Sequence, residues 1–427
     1  MSDGARLEIN GKTYEFPMTE GSEGERAIDI GQLRSETGAI TLDPGYKNSG
    51  SCESTITFID GEKGILRHRG YAIEELAEQS TFLEVAHLLV RGELPSASQH
   101  EKWVKGITIH TMLHEDLKAF FEAFPKDAHP MAVCSAVVAA LSTFYPEDLD
   151  PTDAAQVRNS TERLIAKFPT IAAYAHKHSI GQPVLYPDNS LSYVENFLAM
   201  MFGTPCEKYV TDPVVARAVE MLLILHADHE QNCSTSTVRL VASAHANLFA
   251  SISSGINALW GPRHGGANQQ VIEMLSAIAE EGLSAQQFVD RAKDRDDTSR
   301  LMGFGHRVYR NHDPRAVVIK KSADEVLQKL GVDDKLMEIA VDLERIALQD
   351  DYFAERKLFP NIDFYSGVIF KALGIPMQSF TVMFAMGRLP GWIAQWEELH
   401  DDGQAIGRPR QIYTGPTVRP YVPIESR

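Results

Sequence analysis

From about residue 70 onward the chain is punctuated as a series of helices, and this punctuation limits the fold more than any other feature. Thr81 precedes the amphipathic run Phe82-Leu-Glu-Val-Ala-His-Leu-Leu-Val-Arg91, which Gly92 and Pro95 stop. Ser96 with Gln99 and Ser284 with Gln287 have the spacing of capping boxes. Residues 130–145, 155–168 and Val214–Leu225 read as helices. Asp313-Pro314 supplies an N-cap and a proline at the first helical position of a segment running to Gly331. A second long helix is predicted over about 334–349. A third starts after Asp363 and ends at Gly374, with Pro376 beyond it. Phe380–Trp396 is apolar enough to return to the main body. The last 20 residues hold four prolines, counting Pro409, and predict an extended tail. The expected fold class is therefore mainly α.

The first 70 residues differ. Leu7-Glu-Ile9 and Tyr14-Glu-Phe16 alternate around Asn10-Gly11, a strong hairpin signal. Ser54–Ile59 and Ile65–His68 flank a glycine-containing turn and predict a second hairpin. A chain of 427 residues allows two or three domains. The expected division is a β-rich segment over 1–70, a large helical domain over 71–269 and 376–427, and a smaller, mobile helical domain over 270–375.

The formal net charge is -17, which argues against nucleic acid or an anionic membrane as partner. It does not argue against an anionic small substrate, provided arginines and histidines are gathered locally. The four cysteines, Cys52, Cys134, Cys206 and Cys233, are scattered without a CxxC pair and read as reduced thiols rather than as disulfides or a structural metal site. The N-terminus lacks an apolar signal region, and the longest apolar run, around Met131–Leu141, is too short to span a bilayer. A cytoplasmic location is the expectation.

Four segments carry residues suited to chemistry. In His226-Ala-Asp-His229-Glu230 an apolar helix meets five polar residues. This suggests a buried helix ending at a polar cavity; a solvated helix end and a metal site are the alternatives, and the zincin spacing is absent. In Trp260-Gly-Pro-Arg-His264-Gly-Gly-Ala-Asn268 the glycines permit close approach of a ligand, although an ordinary glycine-rich loop reads the same way. Gly303-Phe-Gly-His306-Arg307-Val-Tyr-Arg310, followed by Asp313-Pro-Arg315, concentrates cationic groups in an acidic chain, and arginine forks match carboxylates and phosphates. Asp363, between Ile362 and Phe364, is either a helix N-cap or a general base with a raised pKa. Arg388 lies in Phe-Ala-Met-Gly-Arg-Leu, where an unpaired charge is expensive. Arg408 and Arg410 flank Pro409, and surface charge is the stronger reading for Arg410. Together these groups suit proton abstraction beside a carbonyl, with an anionic substrate held by arginines.

Taken in order, these motifs and the Pro-Asn-Ile-Asp363-Phe-Tyr-Ser-Gly segment resemble the citrate synthase family over nearly the whole chain. The β-rich start resembles the larger Gram-negative bacterial members, often hexameric and NADH-sensitive. The resemblance implies a two-domain helical fold and condensation of acetyl-CoA with oxaloacetate to citrate and free CoA, the entry step of the tricarboxylic acid cycle. It implies no cofactor beyond the acetyl-CoA substrate and no metal. It further implies that Asp363 removes a methyl proton, that His264 hydrogen-bonds the thioester oxygen, and that His306 polarises and protonates the ketone oxygen. By the same resemblance His229, Arg315 and Arg388 hold the oxaloacetate carboxylates. Arg408 is supplied to a neighbouring subunit, which makes a homodimer the least assembly and a homohexamer the larger option. Arg307 is expected near CoA.

Relatives inhibited by NADH are matched at His110, Thr111, Met112, Tyr145, Arg163, Lys167 and Cys206, but Ile109 stands where they carry an arginine. NADH control is therefore expected to be weak or absent. The competing readings are a 2-methylcitrate synthase using propionyl-CoA and a catalytically inactive metabolite-binding relative. Retention of His264, His306 and Asp363 weighs against the second.

Overall fold

The computed structural model describes residues 4–294, 296–330 and 335–427. Its contacts divide the chain into two units, Met1–Ser54 and Thr55–Arg427.

In the first unit, Ala5–Ile9 pairs antiparallel with Lys12–Phe16 through the expected turn. Asn10 and Gly11 both take positive φ, 52° and 74°, which matches the right-handed twist of the strands. Met18–Glu20 and Arg26–Ile28 form a second hairpin that the sequence reading did not anticipate. A short helix, Leu33–Thr37, follows and ends at left-handed Gly38.

The second unit opens with the antiparallel pair Thr57–Asp60 and Ile65–His68, extended by Tyr71–Ala72. Among the described residues the longer elements after it are all helices. The capping boxes at Thr81, Ser96 and Ser284 all form, starting the helices Phe82–Arg91, Ala97–Thr108 and Ala285–Lys293. Pro130–Phe144 and Pro213–Leu225 match the expected spans closely.

Three boundaries differ. The helix expected to stop near residue 168 runs from Ala154 to Ser179, straight through Pro169. Proline offers no N–H to the carbonyl four residues back, so Ile165 O would be left without a partner. The Tyr193 hydroxyl donates to that oxygen instead, at 3.1 Å. The apolar segment expected to reach Trp396 extends to Asp401, again across an internal proline, Pro390. The helix expected to begin after Asp363 begins at Ile362, capped by Asn361. The expected helix ends at Gly331 and 334 lie outside the described residues; the flanking helices are Pro314–Leu330 and Lys335–Gln349.

A single apolar core runs through the helices of this unit, with Phe380–Asp401 buried along most of its length. Residues 404–427 form an exposed, largely irregular tail. Among the described residues no helix is long and apolar enough to cross a membrane.

Candidate active site

The helix Pro213–Leu225 ends at His226, whose Nδ1–H donates to Leu222 O at 2.7 Å. The following residues turn into the interior, and His226, Asp228 and His229 are all buried. Phe380–Asp401 crosses this turn closely. A Cβ on Gly391 would lie 2.2 Å from Ala227 O, so only glycine lets the two segments approach. That approach fixes Arg388: its Nε donates to His226 O at 2.7 Å and its guanidinium stacks 4.9 Å from the Phe384 ring centre. Among the described residues Nη1 of Arg388 is buried without a hydrogen-bond partner. Burial pulls the Arg388 pKa down to about 10, so the site carries a cation whose charge is poorly compensated.

His264 sits where the helix Leu248–Trp260 gives way to the glycine turn. Its Nε2 accepts the Ser234 N–H at 3.2 Å and lies 2.8 Å from Ser234 Oγ. A backbone N–H can only donate, so Nε2 is the bare nitrogen and the neutral ring carries its proton on Nδ1. Trp392 Nε1–H donates to Ser234 Oγ and holds that hydroxyl in place. Burial, assisted by the Arg388 charge, depresses the His264 pKa to about 4.

His306 follows the same logic with the nitrogens exchanged. Its Nδ1 accepts the N–H groups of Val308 and Tyr309, at 3.1 and 3.2 Å, which leaves the proton on Nε2. Burial, then the charge of Arg315, lowers its pKa to about 4. The His229 and His306 ring centres are 5.2 Å apart, and His229 Nε2 lies 3.2 Å from the Tyr309 hydroxyl. Burial holds His229 neutral as well.

Arg315 is gripped by Asp313 in a buried fork, with Nε and Nη2 each 2.9 Å from a carboxylate oxygen. Burial opposes its charge, yet the Asp313 carboxylate raises its pKa. Asp313 Oδ2 also accepts the Ile362 N–H, tying this fork to the segment that carries Asp363.

Asp363 proves not to be the helix cap. Asn361 Oδ1 accepts the Asp363 N–H at 3.0 Å, so the Asp363 carboxylate is not used as the cap. Burial raises its pKa to about 6, although Arg315 and Arg388 both favour the ionised form. The same Asn361 donates Nδ2–H to Gly305 O at 2.9 Å, and its own N–H goes to Gly303 O. Gly303, at φ 79°, lies so close that a Cβ would be 3.0 Å from Phe364 Cα. The loops of His306 and Asp363 are therefore stitched together.

His226, His229, His264, His306, Arg315, Asp363 and Arg388 thus share one region of mutual hydrogen bonds, ring contacts and electrostatic fields. Arg307 is exposed beside His306, and Arg408 is exposed on the tail. Ser234, Asn361, Asp313 in its pairing role, Tyr309 and Phe384 were not singled out from the sequence. Only Asp313, two residues before Arg315, left a signal there. Among the described residues no group of three or more His, Cys, Asp and Glu is placed to share a metal ion.

Six of the seven residues matched to NADH-sensitive relatives also lie together. Lys167 Nζ donates to the carbonyls of His110 and Met112, both at 2.7 Å, and Thr170 Oγ1 donates to Thr111 O. Arg163 stacks 4.1 Å from the Tyr145 ring centre and pairs with Asp148. Burial depresses the Lys167 pKa to about 8. Cys206 is exposed in the turn bridged by Thr204 and Glu207, and no hydrogen bond among the described residues ties it to the other six.

Residues 45–410 match the family model described as citrate synthase, C-terminal domain. The chain is 59% identical over 426 residues to citrate synthase 1 of Mycobacterium tuberculosis, covering 100% of this chain and 99% of that protein. It is 55% identical to a citrate synthase of Corynebacterium glutamicum, covering 99% and 97%. Among solved structures it resembles a citrate synthase of Thermoplasma acidophilum, in ternary complex with carboxymethyl coenzyme A and oxaloacetate. That match has a TM-score of 0.82 and 29% identity, and covers 90% of this chain and 99% of that one.

Proposed function

We propose that this chain, which belongs to the citrate synthase family, performs the family's condensation with Asp363, His264 and His306 as the reacting groups. The reaction joins acetyl-CoA to oxaloacetate and releases citrate and CoA. Asp363 takes a proton from the methyl carbon. His264 donates its Nδ1–H to the thioester oxygen as charge develops there. The resulting enol carbon attacks the ketone carbon of oxaloacetate, and His306 delivers its Nε2 proton to the ketone oxygen, which becomes the hydroxyl of citryl-CoA. Water then cleaves the thioester. His229, Arg315 and Arg388 hold the dicarboxylate.

The protonation pattern carries this proposal. A thioester methyl is a weak acid, and a base alone removes its proton slowly. Here two imidazoles are fixed as neutral donors by backbone N–H groups, beside a carboxylate whose pKa is raised to about 6. Prealigned donors of this kind give roughly 3 kcal/mol each to a developing oxyanion. The partly uncompensated charge of Arg388 favours a carboxylate ligand. Residues 270–375 form, in this account, a smaller domain that closes over bound oxaloacetate and excludes water before acetyl-CoA reacts. We read Arg307, exposed beside His306, as the arginine that meets CoA.

The assembly is read as a homodimer or homohexamer in the cytoplasm, with Arg408 reaching a neighbouring subunit. NADH control is read as weak or absent. Arg163 and Lys167 already serve Asp148 and two carbonyls, and Ile109, 67% exposed, offers no cation. Mass-spectrometric identification of the product from acetyl-CoA, with propionyl-CoA in parallel and NADH added to a third reaction, tests these points. Citrate formed faster than 2-methylcitrate, at a rate indifferent to NADH, is expected. A preference for propionyl-CoA would replace the proposal with the methylcitrate reaction.

A further inference from the structure

The hairpin Thr57–Asp60/Ile65–His68 lays its tip, residues 61–64, against the loop that carries His306. Gly61 O accepts the Arg310 N–H at 2.8 Å, and a Cβ on Gly61 would fall 2.2 Å from Val308 O. Gly64, at φ 69°, fits as closely to His312, whose O would be 2.7 Å from a Cβ there. Glu62 pairs with Lys357 at 3.2 Å, and two residues on, Phe359 O accepts the Gly305 N–H at 2.8 Å. The tip itself is shaped by Asp60, whose Oδ1 accepts the N–H groups of Glu62 and Lys63 at 3.1 and 3.0 Å.

The contact at Val308 O bears directly on His306. Val308 O and the Tyr309 N–H belong to one planar peptide and point to opposite sides of it. That N–H, together with the one of Val308, is donated to His306 Nδ1. Gly61 therefore stands behind the peptide whose front fixes the His306 tautomer. Its backbone is not in the left-handed region, so a side chain is refused there by contact alone. The next peptide is pinned as well, because Gly61 O holds the Arg310 N–H. Rotation of the Val308–Tyr309 plane would carry its N–H off the ring and leave Nδ1 open to a proton.

We propose that Gly61 is a positioning residue for His306: by backing the Val308–Tyr309 peptide it keeps Nδ1 an acceptor and the ring proton on Nε2, the proton delivered to the ketone oxygen. This rests on His306 being the donor to that oxygen, as proposed above. Gly61 is not assigned to the reacting atoms. Arg315 is held separately by the Asp313 fork, so the hairpin tip governs kcat rather than affinity for oxaloacetate.

The test uses full-length Gly61→Ala, Asp60→Ala and Asp60→Asn, with His306→Gln as reference. Steady-state kinetics gives kcat and both KM values, calorimetry gives oxaloacetate affinity, and thermal melts report folding. The His306 tautomer is read by nitrogen NMR of protein carrying isotope-labelled histidine, assigned by difference against His306→Gln. Gly61→Ala should lower kcat about 10²-fold with oxaloacetate affinity within about threefold of wild type, and the bare-nitrogen signal of Nδ1 should weaken. Asp60→Ala loosens the tip without a clash and should lower kcat about tenfold, with the same change in the ring signal. Asp60→Asn keeps an oxygen to accept the two tip N–H groups and forfeits only the ion pair with exposed Lys63, so its kcat should return close to wild type. Wild-type kcat in folded Gly61→Ala would overturn the proposal, and wild-type kcat in Asp60→Ala would do so even where Gly61→Ala does not fold. A lowered kcat with the tautomer unmoved would show the tip acting elsewhere and overturn it too. Wild-type kcat in His306→Gln would instead remove the role of His306 on which the proposal stands.

Discussion

Replacing Asn361 tests how the two loops of the site are joined. Its Oδ1 caps the helix Ile362–Ala372 through the Asp363 N–H at 3.0 Å, and its Nδ2–H reaches Gly305 O at 2.9 Å. Asn361→Ala removes both bonds and leaves the backbone bond to Gly303 O in place. Loss of an N-cap costs about 1 kcal/mol. Loss of the second bond, with Gly305 O left short of a donor, costs roughly 1–2 kcal/mol more. The sum, about 2–3 kcal/mol, falls on the segments that aim Asp363 and His306. Small misplacements of reacting groups are costly, so kcat should drop by about 10²-fold. Asn361→Asp separates the two bonds: it keeps the cap acceptor and removes the donor to Gly305 O. Urea unfolding should rank the variants wild type, Asp, Ala if the cap dominates stability, while kcat should fall in both. Equal midpoints and equal kcat for wild type and Asn361→Ala would refute the idea that this residue joins the loops.

Three further outcomes follow from the same structure. Asp363 works only as the ionised base, so kcat/KM should fall as pH drops through about 6, with roughly a tenfold loss by pH 5; the histidines, held at about 4, stay neutral over that range, and an inflection near the ordinary carboxylate value instead would contradict the burial argument. Tyr193→Phe should cost about 1 kcal/mol in urea unfolding by stranding Ile165 O, and adding Pro169→Ala should restore most of it by supplying an N–H; no restoration would break the link between the proline and the tyrosine. Gly391→Ala should lower stability by about 1–3 kcal/mol through overpacking against Ala227 O, and it should raise the oxaloacetate KM; a melt unchanged from wild type would show that the helix crossing can relax.

Local chemistry was legible in the sequence wherever one stretch of chain decides the outcome. The capping boxes at Ser96 and Ser284 are sets of near neighbours and form as read, and the cap read at Thr81 forms as a third box with Glu84. Pro169 misled because its missing donor is replaced by Tyr193, from the next helix, and spacing along the chain cannot reveal that partner. Asp363 was ambiguous because Asn361 and Asp363 are both capping residues two positions apart; the backbone geometry chose Asn361 and released the carboxylate. The charged and imidazole groups of the site stood out individually. Their protonation states did not, since these depend on which N–H groups of Ser234, Val308 and Tyr309 reach the rings. The hairpin ending at His68 was visible as a hairpin, but the close fit of its tip, Gly61, against Val308 O exists only in the folded chain.

The central claim is that Asp363 removes a methyl proton to drive a condensation that requires oxaloacetate. Release of free CoA thiol, followed with a chromogenic disulfide reagent, measures it directly in wild type and Asp363→Ala. The account predicts fast release from acetyl-CoA that depends on oxaloacetate and is abolished in the variant. Release that ignores oxaloacetate, or that survives Asp363→Ala at the wild-type rate, would contradict it.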